Sequence, residues 1–382
     1  MLIVADSKTP LPEKSFGRLG DLRVLETPAI NRESLRDADM VVVRSETKVN
    51  QRLLEGTGVR FVGTATIGTD HVDVGYLRAR GIGFASAPGS NAKSVAEYVV
   101  AALLELGHRR RLPLEGKTIG VVGVGNVGTR VARMARALGM EVLLNDPPLA
   151  RLSGDSRYLA LDDLMSADIV TLHVPLTYSG DDPTFHLFDE QRITRLKPGV
   201  ILVNTSRGPV VDAKPLQKRL VSGELGGAVL DVWEGEPEID VELLAATDLG
   251  TPHIAGYSHD GKVNAARMIF DSASRFFGID AQWFGDGDES KTENLRFAFG
   301  NDSAESIVRV FVRHCYDIEV DDTLLRGLHS LQAERRGEYF RRLRSTYRLR
   351  REFFHYAPEV PQEHRDLIPV LRDLGFRPLP SS

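Results

Sequence analysis

The chain has 382 residues, of which 42% are hydrophobic and 26% are charged, and its formal net charge is −5. This length predicts two or three domains, and the composition excludes an intrinsically disordered protein. The slight acidic excess argues against nucleic-acid binding, because proteins that bind nucleic acids usually carry a basic excess. The single cysteine, Cys315, excludes an internal disulfide and fits a reducing compartment. No signal peptide and no apolar run long enough to span a membrane is recognised, so we expect a cytosolic protein without a membrane partner.

Short apolar runs alternate with helical stretches over the first 90 residues. Strands are predicted at 2–6, 39–45, 60–66 and 81–88. Such alternation is typical of βαβ units and predicts a parallel sheet. A long helix is predicted over residues 91–111, with Asn91 as a candidate N-cap, and its length suits a connection between two domains.

A second alternating series follows this helix. Its predicted strands cover residues 117–123, 140–146, 168–174, 199–206, 227–233 and 248–253. Its predicted helices cover residues 126–139, 162–167, 190–196 and 212–223. Asp212 is expected to cap the last of these helices. Six strands joined by helical crossovers match a doubly wound nucleotide-binding sheet.

The pattern changes after a further predicted helix over residues 258–278. Residues 284–294 are polar and rich in Gly and Asp, which predicts a loop or a linker. Beyond them, residues 306–318 combine strand-like and helix-like features, residues 333–354 predict a helix, and residues 369–379 predict a short helix followed by a strand. We therefore predict a small α+β domain. Its arginine-rich stretch is balanced by acidic residues of the tail, which favours a solvated helix face or a subunit contact over a nucleic-acid site.

A glycine-rich stretch, GVGNVG, directly follows a predicted strand and opens a predicted helix. In such a turn Gly123 allows the tight bend, Gly125 lets the backbone approach a pyrophosphate, and Gly128 permits close packing of helix on strand. The N–H groups at the start of the helix then hold the anionic pyrophosphate.

The next predicted strand ends in Asp146, which is placed to accept hydrogen bonds from a ribose and to repel a 2′-phosphate. Two prolines, rather than a basic residue, follow it. This pattern favours NAD over NADP as the cofactor. The alternative is a glycine-rich turn beside an ordinary surface aspartate.

Three polar residues lie at the ends of the last three predicted strands of the second series: Arg207, Glu236 and His253. The carboxyl ends of strands line the ligand crevice of an open α/β sheet, so we expect these side chains to converge. A histidine accepts the hydroxyl proton of an alcohol near neutral pH, and a carboxylate behind it stabilises the imidazolium that forms. A guanidinium binds a substrate carboxylate with two hydrogen bonds. The alternative for each residue taken alone is an ordinary surface or hydrogen-bonded polar group.

The other histidines suggest no further chemistry. His71 is expected to be structural, and His108, His173 and His186 have no acidic or cysteine neighbours at the spacing of metal ligands. We therefore predict that the protein holds no metal.

Five stretches of this sequence are familiar: GVVGVGNVG, VLLNDPP, NTSRGPVVD, LDVWEGEPE and TPHIAGYS. They resemble the D-isomer-specific 2-hydroxyacid dehydrogenases, and the resemblance extends over essentially the whole chain. The stretches at 43–50, 61–73, 146–148 and 253–258, with the extra C-terminal domain, narrow it to members that act on a small phosphorylated sugar acid. The resemblance implies Arg207 and Glu236 as active-site residues and His253 as the proton donor or acceptor.

The same resemblance implies NAD as the cofactor and assigns further contacts to it. These contacts are Asn126, Val127, Asp146, Val174, Thr205, Ser206, Arg207, Asp231 and Gly256. Val174 stands where close relatives are expected to have Thr, so a side-chain hydrogen bond to the cofactor is lost there. For Asp231 the alternative is that it caps local backbone.

Substrate contacts are assigned partly by the resemblance and partly from the residues. The family pattern implies Ser45, Thr66 and Tyr257. To these we add Arg44 and Lys48 as phosphate ligands, because they flank Ser45 in the loop after a strand and a phosphate requires cationic donors. The alternative is a solvated pair of charges.

The sequence thus predicts an α/β fold with two doubly wound parallel-sheet domains, of Rossmann or flavodoxin-like type, and a small α+β C-terminal domain. Residues 1–91 and 255–284 are expected to form a discontinuous substrate-binding domain and residues 92–254 the NAD-binding domain. The resemblance makes residues 285–382 a dimerisation domain, and hence the protein a homodimer. Two functional alternatives remain: a dehydrogenase of the same family with another substrate, such as D-3-phosphoglycerate, and an NAD-sensing binding protein like the corepressors that share the fold.

Overall fold

The computed structural model describes residues 1–284 and 291–380. The chain divides into two compact units, the first formed by Met1–Asn91 with Ser258–Lys291 and the second by Ala92–Tyr257 with Thr292–Ser382. The tail therefore belongs to the same unit as the predicted NAD-binding domain. The division into three domains stays a prediction. No helix within the described residues is long and apolar enough to cross a membrane.

Fourteen strands and fourteen α-helices are found within the described residues. The strands are β1 Leu2–Asp6, β2 Asp21–Leu25, β3 Met40–Val43, β4 Phe61–Thr64, β5 Gly83–Ala85, β6 Thr118–Val122, β7 Glu141–Asn145, β8 Ile169–Leu172, β9 Ile201–Asn204, β10 Gly227–Leu230, β11 Leu249–Gly250, β12 Glu293–Leu295, β13 Tyr356–Val360 and β14 Leu379–Pro380. The helices are α1 Pro12–Ser15, α2 Gln51–Leu54, α3 Val74–Ala79, α4 Ala92–Arg110, α5 Asn126–Ala137, α6 Pro147–Ser153, α7 Glu190–Arg195, α8 Ala213–Val221, α9 Val241–Ala246, α10 His259–Phe277, α11 Ala304–Cys315, α12 Ile318–Arg326, α13 Ala333–Ser345 and α14 Leu367–Leu374.

The first unit contains a five-stranded parallel sheet in the order β2-β1-β3-β4-β5. Strands β3 and β4 are buried along their whole length, as their uninterrupted apolar runs predict. Strand β2 was not predicted. It lies at the edge of the sheet, and its sequence DLRVL alternates with charged, exposed residues, so it lacks an apolar run. The strand order places a topological switch point between β1 and β3.

The second unit contains a six-stranded parallel sheet in the order β11-β10-β9-β8-β6-β7. All six predicted strands are present, and Asp212 caps α8 by accepting a hydrogen bond from the Lys214 amide. The switch point lies between β6 and β8, and the glycine-rich turn follows β6. Because β9, β10 and β11 are neighbours, the loops that follow them meet at one edge of the sheet.

The tail adds a three-stranded parallel sheet, β12-β13-β14, to this unit. The ambiguous stretch at 306–318 is helical from Ala304 to Cys315. The predicted helix over 333–354 was too long, because α13 ends at Ser345. Most of the predicted linker at 284–294 lies outside the described residues, but its end forms the start of β12.

One hydrophobic core joins the tail to the nucleotide-binding sheet. It contains Tyr98 and Leu103 of α4, Phe311 of α11 and Leu371 of α14, all at most 1% exposed. Burial of large apolar side chains is the main source of stability in such a core. The tail is thus an integral part of the second unit.

Candidate active site

His253 and Glu236 form a hydrogen-bonded pair at the carboxyl edge of the six-stranded sheet. His253 Nδ1 donates to Glu236 Oε2 over 2.8 Å, and Glu236 Oε1 accepts from the Trp233 amide over 2.8 Å. Burial raises the pKa of the Glu236 carboxyl, but the charge and hydrogen bond of His253 and the amide of Trp233 outweigh it, so the pKa lies below its usual value. The carboxylate is therefore ionised at neutral pH and fixes the imidazole tautomer, which leaves Nε2 as the nitrogen that can accept a proton.

The backbone at His253 is held in an unusual conformation. Its φ is +57°, in the left-handed region that non-glycine residues rarely adopt. Its amide donates to the Asp231 carbonyl over 2.7 Å. Strain of this kind persists only where surrounding structure enforces it, and it clusters at functional sites.

The Asp231 side chain helps to hold the backbone around His253 in this conformation. Its side chain is 1% exposed and accepts hydrogen bonds from the Thr251 hydroxyl and from the amides of Ile254 and Ala255, over 2.6 to 2.9 Å. Burial raises the pKa of Asp231 despite these donors. The observed contacts are those of a backbone-capping residue, which was the alternative considered for it; a contact with NAD stays a prediction.

Arg207 follows β9 and lies in the loop next to the one that carries Glu236. Its Nη1 donates to the Ser206 carbonyl over 2.8 Å. The next residue, Gly208, is in such close contact with the Trp233 backbone that a Cβ would overlap it. Glycine at this position therefore lets the Arg207 loop lie directly against the Glu236 loop. This requirement was missed from the sequence, although the RGP motif contained the signal.

The residues before Arg207 are ordered by Asn204, which was also missed. Asn204 Oδ1 accepts from both the amide and the hydroxyl of Ser206, and its Nδ2 donates to the Arg207 carbonyl. The Thr205 hydroxyl pairs with His173 Nδ1 over 3.1 Å. Burial lowers the pKa of His173 to about 3, so this ring is neutral and acts as a hydrogen-bonding support.

The glycine-rich turn has the features that a dinucleotide requires. Gly123 has φ +87°, and a Cβ on Gly128 would overlap the Gly123 carbonyl. Gly125 is exposed, and a Cβ there would meet nothing within 4 Å, so the backbone is open to a ligand at that point. No side chain caps the N-terminus of α5 at Asn126 and Val127, which leaves its amides for a phosphate. The donor set therefore fits the pyrophosphate of NAD.

Asp146 lies at the end of β7, as predicted. Its Oδ2 accepts from the Val124 amide over 2.8 Å, and its Oδ1 accepts from the Leu149 amide over 3.0 Å. The carboxylate thus connects the glycine-rich turn to the start of α6. Each oxygen retains acceptor capacity, so hydrogen bonds from a ribose remain compatible with this geometry.

The remaining predicted cofactor contacts are placed along the same edge. Val174 follows β8 and packs beside Gly123. A Cβ added to Gly123 would lie 2.9 Å from the Val174 Cγ1 atom. Gly256 lies in the loop after His253 and is half-buried. Their contacts with NAD stay predictions.

Predicted substrate residues of the first unit follow β3 and β4. Ser45 and Lys48 are exposed, and Lys48 forms no hydrogen bond or ion pair with the described residues. Arg44 Nη1 and Thr47 Oγ1 are buried and find no hydrogen-bond partner among the residues described. Buried polar groups without partners are rare in proteins, and at this loop they indicate a place for a polar ligand.

Thr66 is already engaged in a local network. Its hydroxyl donates to the Gly68 carbonyl and pairs with Thr64, which in turn pairs with His71 Nε2 over 2.9 Å. Burial lowers the pKa of His71. These contacts agree with the structural interpretation of His71, and a substrate contact at Thr66 stays a prediction.

Tyr257 of the second unit contacts a residue that the sequence did not indicate. Arg344 of α13 donates from Nη2 to the Tyr257 hydroxyl over 3.1 Å. Arg350 lies beyond the end of the same helix, is 4% exposed, and donates to the Ala255 carbonyl and to Ser94. The sequence favoured a solvated helix face or a subunit contact for the arginine-rich stretch. These two arginines instead contact residues of the same chain that are distant in sequence.

His186 has acidic neighbours that spacing along the chain did not show. Its Nε2 lies 2.8 Å from Glu234 Oε1 and its Nδ1 3.9 Å from Asp212 Oδ2. These three half-buried residues are a possible metal-binding group. The carboxylates of Glu234 and Asp212 lie at different nitrogens of the His186 ring. This arrangement suits hydrogen bonds that connect the three loops. The prediction of no metal stays a prediction.

Comparison with known proteins shows similarity to NAD-binding dehydrogenases. Residues 92–255 match the family model described as D-isomer specific 2-hydroxyacid dehydrogenase, NAD binding domain. A D-lactate dehydrogenase from Aquifex aeolicus, solved with NAD and lactic acid, is 25% identical with a TM-score of 0.59 and covers 72% of this chain and 96% of its own. An NAD-dependent formate dehydrogenase from Staphylococcus aureus, solved with NAD, is 26% identical with a TM-score of 0.59 and covers 75% of this chain and 98% of its own.

The doubly wound sheet, the glycine-rich turn and the His253–Glu236 pair together define an NAD-dependent dehydrogenase. The chain belongs to the D-isomer specific 2-hydroxyacid dehydrogenase family. Within it, the chain is 47% identical to a protein of Salinibacter ruber named erythronate-4-phosphate dehydrogenase, over 96% of both chains.

Proposed function

We propose that this protein oxidises 4-phospho-D-erythronate at C2 with NAD, giving (R)-3-hydroxy-2-oxo-4-phosphooxybutanoate, a step of pyridoxine biosynthesis. The observation that carries the proposal is the 2.8 Å hydrogen bond between His253 and Glu236 beside the Arg207 loop. The similarity to the Salinibacter ruber protein over nearly the full chain supports this substrate.

The reaction removes a proton from the C2 hydroxyl and a hydride from C2. His253 Nε2 takes the proton, while Glu236 stabilises the positive charge that develops on the imidazole. Arg207 binds the C1 carboxylate through paired hydrogen bonds and polarises the forming carbonyl. When bound, NAD supplies the hydride acceptor.

The cofactor would be held by the residues of the second unit already described. The glycine-rich turn and the first amides of α5 would bind the pyrophosphate, and Asp146 would accept from the ribose. Val174, Thr205, Ser206, Asp231 and Gly256 complete the proposed set. Ser45, Thr66, Tyr257, Arg44 and Lys48 form the proposed substrate set.

The same proposal makes the protein a cytoplasmic homodimer that associates through residues 285–382. Symmetric pairing is the commonest form of oligomer. The mass of the intact protein in solution, measured by sedimentation, tests the oligomeric state; a monomer at micromolar concentration contradicts it.

Formation of NADH, followed by absorbance, tests the proposed activity. We expect turnover with 4-phospho-D-erythronate. The value of kcat/KM for D-3-phosphoglycerate or D-lactate should be at least a hundredfold lower than that for 4-phospho-D-erythronate, a difference equivalent to about 2.7 kcal/mol. Preference for another 2-hydroxy acid would replace the substrate but keep the reaction class. Absence of turnover in both directions, with NADH still bound, would favour an NAD-sensing binding protein.

A further inference from the structure

One arginine of the C-terminal tail reaches the proposed site and has unused hydrogen-bonding capacity. Arg344 donates from Nη2 to the Tyr257 hydroxyl, and its guanidinium carbon lies 5.7 Å from the centre of the Tyr257 ring. Its Nε is buried and has no hydrogen-bond partner among the described residues. A buried guanidinium N–H without an acceptor is costly, because the group has lost its water.

The helix that carries Arg344 is built to lie against the catalytic loop. Gly337, Arg341 and Arg344 recur at helical spacing and therefore share one face of α13. A Cβ on Gly337 would overlap the Glu238 side chain, and Arg341 lies 3.4 Å from Glu238 Oε1. The close approach at Gly337 places this face beside the loop that contains Glu236.

The charges around Arg344 agree with its position beside the Glu236 loop. Tyr257, Glu236 and Asp231 all raise its pKa, against the opposing effect of burial. Arg344 in turn is among the groups that lower the pKa of Glu236. The guanidinium is thus a positive charge that acts electrostatically on Glu236, and its Nε–H has no acceptor among the described residues.

The tail that carries Arg344 lies beyond residues 92–255, which match the family model. The lactate and formate dehydrogenase structures cover 72% and 75% of this chain while using nearly all of their own residues. Their named substrates are small acids with one carboxylate. The proposed substrate has a second anionic group, and the tail supplies a second cation.

We propose that Arg344 binds the phosphate of the substrate, together with the Tyr257 hydroxyl, so that the C-terminal tail contributes directly to substrate specificity. The inference rests on the proposed function. Arg207 binds the carboxylate, and the Nε–H and the other protons of Arg344 donate to phosphate oxygens in the paired geometry that guanidinium offers.

The test uses the full-length protein and three variants: Arg344→Gln, Arg344→Lys, and Arg335→Gln as a control on an exposed part of the same helix. Binding of inorganic phosphate to the NADH-loaded protein is measured by calorimetry. The values of kcat and KM are measured with 4-phospho-D-erythronate and with unphosphorylated D-erythronate. NADH affinity and melting temperature are recorded for each variant.

Arg344→Gln is expected to weaken phosphate binding and to raise KM for the phosphorylated substrate by about 10- to 100-fold, as expected for loss of a charged hydrogen bond. Its NADH affinity and its KM for D-erythronate, which has no phosphate, should change by less than about threefold, a difference below 0.7 kcal/mol. Arg344→Lys should recover part of the phosphate affinity, and Arg335→Gln should behave as wild type.

Unchanged phosphate affinity in Arg344→Gln would overturn the proposal. So would an equal loss of kcat on both substrates with a shifted pH profile, because Arg344 would then act through Glu236. If Arg344→Gln does not fold, the phosphate affinity of Arg344→Lys decides. A weaker affinity than that of the wild type supports the paired hydrogen bonds, and an affinity equal to that of the wild type would overturn them, because lysine supplies the charge without the paired geometry. If the wild type does not oxidise 4-phospho-D-erythronate, the proposed function fails, but the phosphate titration still decides whether Arg344 binds phosphate.

Discussion

The candidate residues at the carboxyl edges of the two large parallel sheets differ in how many of their polar atoms have partners, although Thr66, which follows β4 of the five-stranded sheet, is bound to its neighbours. At the six-stranded sheet, polar side chains are bound to one another: His253 to Glu236, and Asp231 to three donors of the 251–255 loop. At the five-stranded sheet, Arg44 and Thr47 keep buried polar atoms that have no partner among the described residues. The candidate catalytic side chains of the first edge are held by their neighbours, whereas the second edge keeps polar atoms without partners among the described residues.

The proposed function accounts for this difference. Proton transfer requires a fixed tautomer and a fixed direction, so the base must be held by its neighbours before the reaction. Binding an anion requires donors that are free to turn toward it, at some cost in the absence of the ligand. We therefore expect substitutions of the His253–Glu236 pair to reduce kcat and substitutions after β3 of the five-stranded sheet to raise KM.

Replacing His253 gives the largest expected effect. His253→Asn should lower kcat by about 10²- to 10⁴-fold, the range that general acid–base catalysis contributes. NADH affinity, measured by calorimetry, should remain unchanged, because the side chain does not belong to the glycine-rich turn. His108→Asn, at an exposed position on α4, is the matched control. A loss of NADH binding equal to the loss of kcat would show that His253 supports the fold rather than the chemistry.

Glu236→Gln should have the next largest effect. It keeps the shape of the side chain but removes the charge that stabilises the imidazolium, and kcat should fall by about 10- to 100-fold. Steady-state kinetics with 4-phospho-D-erythronate measure this loss. A kcat within about twofold of wild type would mean that the pair in the structure does not support proton transfer.

Stability against pH checks the same residue independently of catalysis. The folded-state pKa of Glu236 lies below its ordinary value of 4.5. Its ionised form therefore stabilises the fold above that ordinary value, and this contribution is lost as the pH falls through the folded-state pKa. The difference in unfolding free energy between wild type and Glu236→Gln, measured with urea, should shrink when the pH is lowered from 7 to below 4.5. A difference that grows on acidification would contradict the assigned shift.

Much of this architecture could be predicted from the sequence because it depends on local patterns. Apolar runs locate the strands of both sheets except β2, and GVGNVG with Asp146 locates the dinucleotide site. The positions of Arg207, Glu236 and His253 followed from a general rule about strand ends. These features have short-range signals, so no tertiary information was needed.

The features that could not be predicted depend on long-range contacts. Helix periodicity continues past Ser345, but residues 346–352 leave the helix, and Arg348 and Arg350 reach Asp321 and Ser94. Nothing in the local sequence distinguishes the buried Arg350 from its exposed neighbours Arg348 and Leu349. The grouping of His186 with Asp212 and Glu234 has the same origin, since three separate loops supply its members.

Asp146→Asn tests the carboxyl edge of the six-stranded sheet through the preference for NAD over NADP, with a smaller expected effect. Asparagine retains an acceptor for the Leu149 amide, so the cap on α6 should survive. Loss of the negative charge should improve kcat/KM for NADP relative to NAD by about tenfold, equivalent to 1.4 kcal/mol. An unchanged preference would mean that Asp146 serves the glycine-rich turn alone, through its bond to the Val124 amide.

The smallest effects are expected at the five-stranded sheet, and they separate buried from exposed cations. Arg44→Gln removes a guanidinium with a buried, unpartnered nitrogen, so KM for the phosphorylated substrate should rise about tenfold. Lys48→Ala removes an exposed ammonium, whose contribution water screens, and KM should rise only about threefold.

In both variants kcat should stay near that of the wild type. The exposed Arg52→Gln variant is the control for both. An unchanged KM in Lys48→Ala would exclude Lys48 as a phosphate ligand, and a fall in kcat without a rise in KM would remove the contrast between the two sheets.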